Sequence, residues 1–297
     1  MKTAGNGAEP MLIDFSSRPP HPGFTPPAPH LQNYRRVYLA SESRSAASGA
    51  GQGLDSWLAA YEALGARHVV LKARDLTTTF GFKIPNETVA DFIRTHGPRF
   101  IGFAGVDPWQ AGTVAEFDHA ICNLGLSGLN LQCFELKLRP DDERLFPFYE
   151  KAIELNVPVN IHCGINFSTH TPMAIGRPEY IDNVMVRYPE LRAVASPPGW
   201  PWVQELIGVA WRHPNLFIGV LAVRPKLLAK AHSGYEALLQ YGRTILKEKI
   251  IFGSAFPMMP VETALAELEA LGLEEPVRQL WLHDNAARLL NLPARLT

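Results

Sequence analysis

Val157-Pro158-Val159-Asn160-Ile161-His162-Cys163-Gly164 is an apolar, strand-like run that ends in an imidazole and a turn glycine. In a parallel α/β barrel, the C-terminal end of each strand opens into the bowl where loops assemble the active site, so a His there is placed for chemistry. The alternative is a buried imidazole that donates to a backbone carbonyl. The rest of the chain decides which frame applies.

Working outward, the same unit recurs on both sides. Upstream, Met11–Phe15 is a short apolar run closed by Arg18-Pro19-Pro20, and His68–Lys72 reads as a buried strand. Phe100–Val106 and Gly128–Gln132 follow, and downstream come Leu191–Ala195, Leu216–Val220 and Ile250–Phe252. Helices are expected between them at Leu54–Leu64, Asn86–His96, Ala111–Leu124, Glu143–Leu155, Pro178–Tyr188 and Trp202–Arg212, with closing helices to Leu290. Eight strands alternating with helices in 297 residues predict a (β/α)8 TIM barrel over 11–297 as a single domain. No GxGxxG or GxxxxGK[ST] loop supports an open nucleotide-binding sheet. The Pro-, Ser- and Gly-rich stretch at about 18–53 is expected to be a long irregular loop that covers or lines the site. A Thr-rich loop is expected after Arg74 and Asp75.

The composition, 46% apolar and 19% charged with a net charge of −1, carries no nucleic-acid footprint and no polybasic membrane patch. It points to a small-molecule partner, neutral or anionic. Cys122, Cys133 and Cys163 are odd in number and lack CxxC spacing, which fits a reducing compartment. No run reaches membrane-spanning length and residues 1–10 lack a signal-peptide core, so the expectation is a cytoplasmic protein with a disordered start. Apolar helix faces leave room for a homodimer.

Strand ends supply the candidate site: Asp14 and Arg18, Lys72 and Arg74, Asp107, Gln132 and Glu135, His162, Ser196, Arg224 and Ser254. His162 is the natural acid/base, with Asp14 as its partner or electrostatic support. Arg18 is the anion clamp, and Lys72 and Arg74 could also hold a carboxylate. The competing reading of these cations is rim ion pairs with Asp75 or Glu135. Ser196, Ser254 and Trp200 complete the substrate-binding set, the indole as a pocket wall. His213 and His96 follow helices, where a cation suits the dipole, and read as structural. Cys163 faces away from His162 by strand alternation.

These features resemble the amidohydrolase-related family that includes aminocarboxymuconate-semialdehyde decarboxylase and the aromatic-acid decarboxylases. The resemblance rests on Leu12-Ile13-Asp14, Phe103-Ala104-Gly105-Val106-Asp107-Pro108, Leu145-Phe146-Pro147-Phe148-Tyr149 and the 157–164 stretch. It continues in Gly199-Trp200-Pro201-Trp202, Arg212-His213-Pro214-Asn215-Leu216, Ile251-Phe252-Gly253-Ser254-Ala255-Phe256-Pro257-Met258 and Asn285-Ala286-Ala287-Arg288-Leu289-Leu290. It implies a metal-dependent TIM barrel.

The family's metal site asks for Asp-x-His-x-His on strand one, a His on strand five, a His on strand six and an Asp on strand eight. Here those places hold Ser16 and Arg18, His162, Pro197 and Ala255, so four of the five ligand positions cannot hold a divalent ion. One imidazole does not make a zinc site. The expectation is therefore no metal cofactor, with zinc as the alternative should His21, His30 or His170 fold over the bowl. Losing the metal removes the activated hydroxide, and Arg18 puts a fixed charge in its place. This favours a hydrolase or carboxy-lyase working by metal-independent acid/base chemistry on a small organic or aromatic acid or lactone. The alternative is a non-catalytic barrel kept for binding or complex formation.

Overall fold

Eight short parallel strands, buried on both faces, carry the architecture. The computed structural model describes residues 11–39 and 51–293; residues 1–10, 40–50 and 294–297, which include the expected disordered start and part of the expected long loop, lie outside the described residues. In chain order the strands are β1 (Ile13–Asp14), β2 (His68–Lys72), β3 (Arg74–Leu76), β4 (Phe82–Ile84), β5 (Phe100–Phe103), β6 (Leu129–Leu131), β7 (Val159–His162), β8 (Ala193–Ser196), β9 (Leu216–Val220) and β10 (Ile250–Phe252).

Two parallel sheets, β1-β2-β5 and β10-β9-β8-β7-β6, make up the wall. At one seam Ala104 bridges to Leu129, with Asn130 N donating to Ala104 O at 2.8 Å. At the other, Phe15 N donates to Phe252 O at 3.1 Å and Ser17 bridges to Phe256. The wall closes into the TIM barrel. In register, Asn130 stands opposite Asn160, and His162 opposite Ser196.

Alternation sorts the side chains. Ile13, Phe15, Val70, Phe103, Val194, Phe217 and Ile251 form one cluster, joined by Ala286 and Leu289 from the last helix and by Leu290 at its cap. The larger cluster fills the layer between strands and helices, with Trp57, Tyr61, Phe117, Phe148, Tyr149 and Trp281. Helix Leu54–Ala63 buries its Trp57 and Tyr61 there. Apolar area on this scale, at about 25 cal/mol per Å², is the main force holding the strands together.

Local details differ from the sequence expectation. The Pro-rich stretch is not wholly irregular: it holds short 3-10 turns at Pro22–Phe24 and Pro29–Leu31 and a helix at Gln32–Leu39. The expected Thr-rich loop is an antiparallel hairpin, β3 against β4, with a short helix Thr77–Phe80 at its tip. Asp75 sets that tip by accepting from Thr77 N at 3.1 Å and Thr77 Oγ1 at 2.6 Å. The helix expected at Glu143–Leu155 divides into a 3-10 turn, Glu143–Leu145, and helix Phe146–Glu154, whose Pro147 sits in the first turn where no donor is needed.

Candidate active site

A cavity of about 630 Å³ opens at the C-terminal ends of the barrel strands. From the wall it is lined by Ser16, Ser17, Arg18, Lys72, Arg74, Gln132, His162, Ser196 and Ser254, and from the Pro-rich stretch by Thr25, Pro26, Ala28, Leu31 and Tyr34. Eight residues are expected from the sequence to bind or react. Six line the cavity (Arg18, Lys72, Arg74, His162, Ser196 and Ser254) and Asp14 lies beneath it.

Three cations meet there. Arg18 follows β1, held by its backbone N donating to Phe256 O at 3.1 Å. Its guanidinium is part of no ion pair among the described residues. Burial, with Arg74 adding repulsion and Glu135 opposing, pulls its pKa down to about 10. Arg74 places one guanidinium nitrogen 3.2 Å from each oxygen of buried Glu135. Lys72, at the end of β2, reaches Asn160 Oδ1 at 3.4 Å and lies 5.1 Å from the centre of the Phe15 ring. Burial, then Arg74, lower its pKa to about 7, with Asp14 opposing. Arg224 is neutralised in an ion pair with Glu267.

Glu135 also accepts from, or pairs with, His30 Nε2 at 3.2 Å. His30 stacks on Phe80 at 4.5 Å and meets Phe82 edge-on at 5.2 Å. His30 thus helps to pin the Pro-rich stretch across the cavity mouth through one polar and two aromatic contacts. Burial would raise the Glu135 pKa, but Arg74, His30 and Arg18 together bring it below the ordinary value.

His162 is almost wholly buried, packed at 4.5 Å against Phe134, and its Nδ1 has no hydrogen-bond partner. Burial lowers its pKa to about 4, Glu135 opposing and Arg74 assisting. The ring is therefore neutral at pH 7, a proton acceptor rather than a ready donor. Asn160, two residues back on the same face, belongs to a polar chain: Ser196 Oγ donates to Asn160 Oδ1 at 2.7 Å, and Asn160 Nδ2 to Asn130 Oδ1 at 2.9 Å.

Two expectations are corrected. Asp14 is not brought to His162. It is fully buried, accepting from Tyr61 Oη and Ser254 Oγ at 2.5 Å each, Ser254 N at 2.9 Å and Ser16 N at 3.1 Å. Its neighbours Ile13 and Phe15 both enter the interior cluster, so alternation turns Asp14 toward helix Leu54–Ala63. Burial, against those hydrogen bonds, raises its pKa. Trp200 is 38% exposed and does not line the cavity. Its carbonyl instead accepts from Ile165 N at 2.6 Å, a backbone role.

Other residues fall as follows. His213 Nε2 lies 2.6 Å from Asp182 Oδ1, a structural pairing far from the cavity lining. Cys163 is buried outside that lining, and burial pushes its thiol pKa up. Sequence reasoning passed over Asn160, Tyr61 and the His30–Glu135 contact. The first could have been found by stepping two residues back from His162.

Ser16, Arg18, His162, Pro197 and Ala255, the places at which the family resemblance implied metal ligands, all line this cavity. Their donor set does not fit a divalent cation: one imidazole, with fixed positive charge beside it. Among the described residues no group of three His, Cys, Asp or Glu side chains comes together to hold a metal.

Fold and site together define a TIM-barrel protein with a cationic, partly apolar bowl. The amidohydrolase family profile matches residues 40–292, and the chain belongs to that family of enzymes. No curated protein matches the sequence. An uncharacterised TIM-barrel protein from Bordetella bronchiseptica shares 27% identity with a TM-score of 0.75, over 95% of this chain and 98% of that one. Two more distant structures share the fold. One is 5-carboxyvanillate decarboxylase from Sphingomonas paucimobilis, with 17% identity and a TM-score of 0.65 over 96% of this chain and 100% of that chain. The other is dihydroxybenzoic acid decarboxylase from Polaromonas sp. JS666, solved with manganese and 2-nitroresorcinol, with 15% identity and a TM-score of 0.61 over 95% and 97%. Among the described residues, no helix is long and apolar enough to cross a membrane.

Proposed function

We propose that this barrel is a hydrolase or carboxy-lyase for a small organic or aromatic acid, or its lactone, working by acid/base chemistry without a metal. The observation that carries the reading is Arg18: a half-buried guanidinium lining the cavity at a family ligand place, in no ion pair among the described residues. A planar fork in that position matches a carboxylate with two parallel hydrogen bonds. Lys72 and Arg74 add positive potential on the same side, and Glu135 offsets only part of it.

His162 then serves as the proton acceptor. Its enclosed Nδ1 leaves the opposite ring edge for the ligand, where it can take a proton from a phenolic hydroxyl or from water attacking a lactone. Ser196, in register with it, can hold a substrate oxygen. The apolar walls, Leu221, Val223, Phe134 and Met259 among them, suit an aromatic ring. Asp14, buried beneath Ser254, supports the floor instead of touching substrate.

The test uses enzyme prepared and assayed with chelator, offered 2,6-dihydroxybenzoate and 5-carboxyvanillate, the compounds named for the structural neighbours. Turnover unaffected by chelator and lost in Arg18→Gln is expected. Activity that arises only with added manganese, together with stoichiometric metal on the purified protein, would sink the metal-free reading.

A further inference from the structure

Like Arg18, Lys72 lines the cavity without an ion pair among the described residues, and of the two only Lys72 ends in a group that can act as a free amine. Arg74 has Glu135 and Arg224 has Glu267, but no carboxylate pairs with Lys72 among the described residues. Its hydrogen bond to Asn160 Oδ1 is long at 3.4 Å, and that oxygen already accepts from Ser196 Oγ at 2.7 Å and Asn160's own position is fixed by Asn130. Its Nζ lies 5.1 Å from the centre of the Phe15 ring, a cation–π contact that offsets only part of the lost hydration. An ammonium so placed gives up hydration with no carboxylate at ion-pair distance, Asp14 acting on it only through space, and the nearby guanidinium of Arg74 disfavours it further. At neutral pH a large share of the side chain is free amine. A desolvated amine beside another cation is the arrangement in which lysine attacks carbonyl carbon.

We infer that Lys72 is a nucleophile that forms a covalent imine with an oxo acid, whose carboxylate is held by Arg18 in the same cavity. This rests on the reading that the bowl admits an organic acid and adds the class of acid and the attacking atom. In the step, the Nζ lone pair adds to the substrate's carbonyl carbon, and the carbonyl oxygen leaves as water. Counted from the ammonium form, two of its three protons depart in that water and the third stays on the iminium nitrogen, so charge and atoms balance.

The iminium is an electron sink. Where the substrate carries a second carboxylate on the carbon next to the C=N, the C–C bond breaks, its electron pair passes to nitrogen, and CO2 leaves. A solvent proton on the enamine carbon restores the iminium, and water releases the ketone and lysine. Asn160 Oδ1 lies 3.4 Å from the nitrogen, and His162 lies two residues further along the same strand face, where it can accept the proton released as water adds.

The experiment is borohydride trapping of the full-length protein with benzoylacetate, and separately with acetoacetate, followed by peptide mass mapping. One reduced adduct at Lys72 is expected, with a rate that rises through about pH 7 and is lost in Lys72→Met and Lys72→Arg. Arg18→Gln should slow trapping but leave the adduct on the same lysine. No adduct at Lys72 with either acid, or labelling spread over surface lysines, overturns the proposal. Binding of the two acids by calorimetry runs alongside. Acids that bind without trapping refute the imine alone, whereas acids that neither bind nor trap refute the acid-binding cavity as well. Thermal melts of both Lys72 variants confirm that a lost adduct is not a lost fold.

Discussion

Arg74 holds one guanidinium nitrogen 3.2 Å from each carboxylate oxygen of Glu135, and among the described residues Glu135 is the only acid lining the cavity. This one carboxylate therefore sets how much positive charge the bowl presents.

Replacing it tests that balance. Glu135→Gln leaves Arg74 without its partner and should cost about 3 kcal/mol of stability at pH 7, as expected for breaking a largely buried pair. Glu135 titrates below its ordinary 4.5 in the folded state. Its stabilisation is thus present above 4.5 and lost as pH falls through the lower folded value. Urea titrations should show the gap between wild type and variant narrowing below pH 4.5.

Arg18→Gln should weaken binding of a carboxylate ligand roughly tenfold to a hundredfold, the range for a lost charge-assisted contact. A neutral lactone should bind equally well to both proteins. Equal loss for both ligands would mean that Arg18 shapes the cavity instead of reading charge. Calorimetric titration of each ligand separates the cases.

Lys72→Met should stabilise the fold at neutral and lower pH, by an amount on the order of 2 kcal/mol once its partial exposure is discounted. The sign follows from its folded pKa of about 7 against an ordinary 10.5. Between those values the unfolded chain binds more protons, so wild-type stability rises with pH across that window. Denaturation midpoints of the variant should lack this rise.

His162 should titrate near 4 in an NMR pH series, well below the ordinary 6.5. Wild type then loses stability as pH falls from 6.5 toward 4, because the unfolded chain takes up a proton that the folded ring refuses. His162→Leu should flatten that acid slope. A ring titrating at its ordinary value would contradict the burial described above.

His30→Ala removes the contact with Glu135 and the stack on Phe80. Hydrogen exchange across Pro22–Leu39 should speed up while the barrel strands stay protected. Uniform acceleration would show that His30 supports the barrel itself.

Much of the wall was legible in the sequence because four strands, His68–Lys72, Val159–His162, Leu216–Val220 and Ile250–Phe252, are apolar runs with clear stops. The β3–β4 hairpin was not, since three-residue strands are too short to show alternation. Asp14 was misplaced for a different reason: its acid at a strand end drew attention away from Ile13 and Phe15, whose inward course sends it outward. Tyr61 looked like one more apolar residue on a helix stripe, yet its hydroxyl reaches Asp14. The His30–Glu135 contact joins residues 105 apart, and no local pattern carries such a pairing.

The hydrogen bonds from Ser254 to Asp14 span 240 positions of chain. Nearly the entire polypeptide must leave the ribosome before the two ends of the wall can meet. Until then the segment after β1 that presents Arg18 has no Phe256 carbonyl to anchor it. A nascent chain that stops short of β10 therefore carries Arg18, Lys72, Arg74 and Arg224 but lacks the strand whose Phe252 carbonyl closes the wall on Phe15.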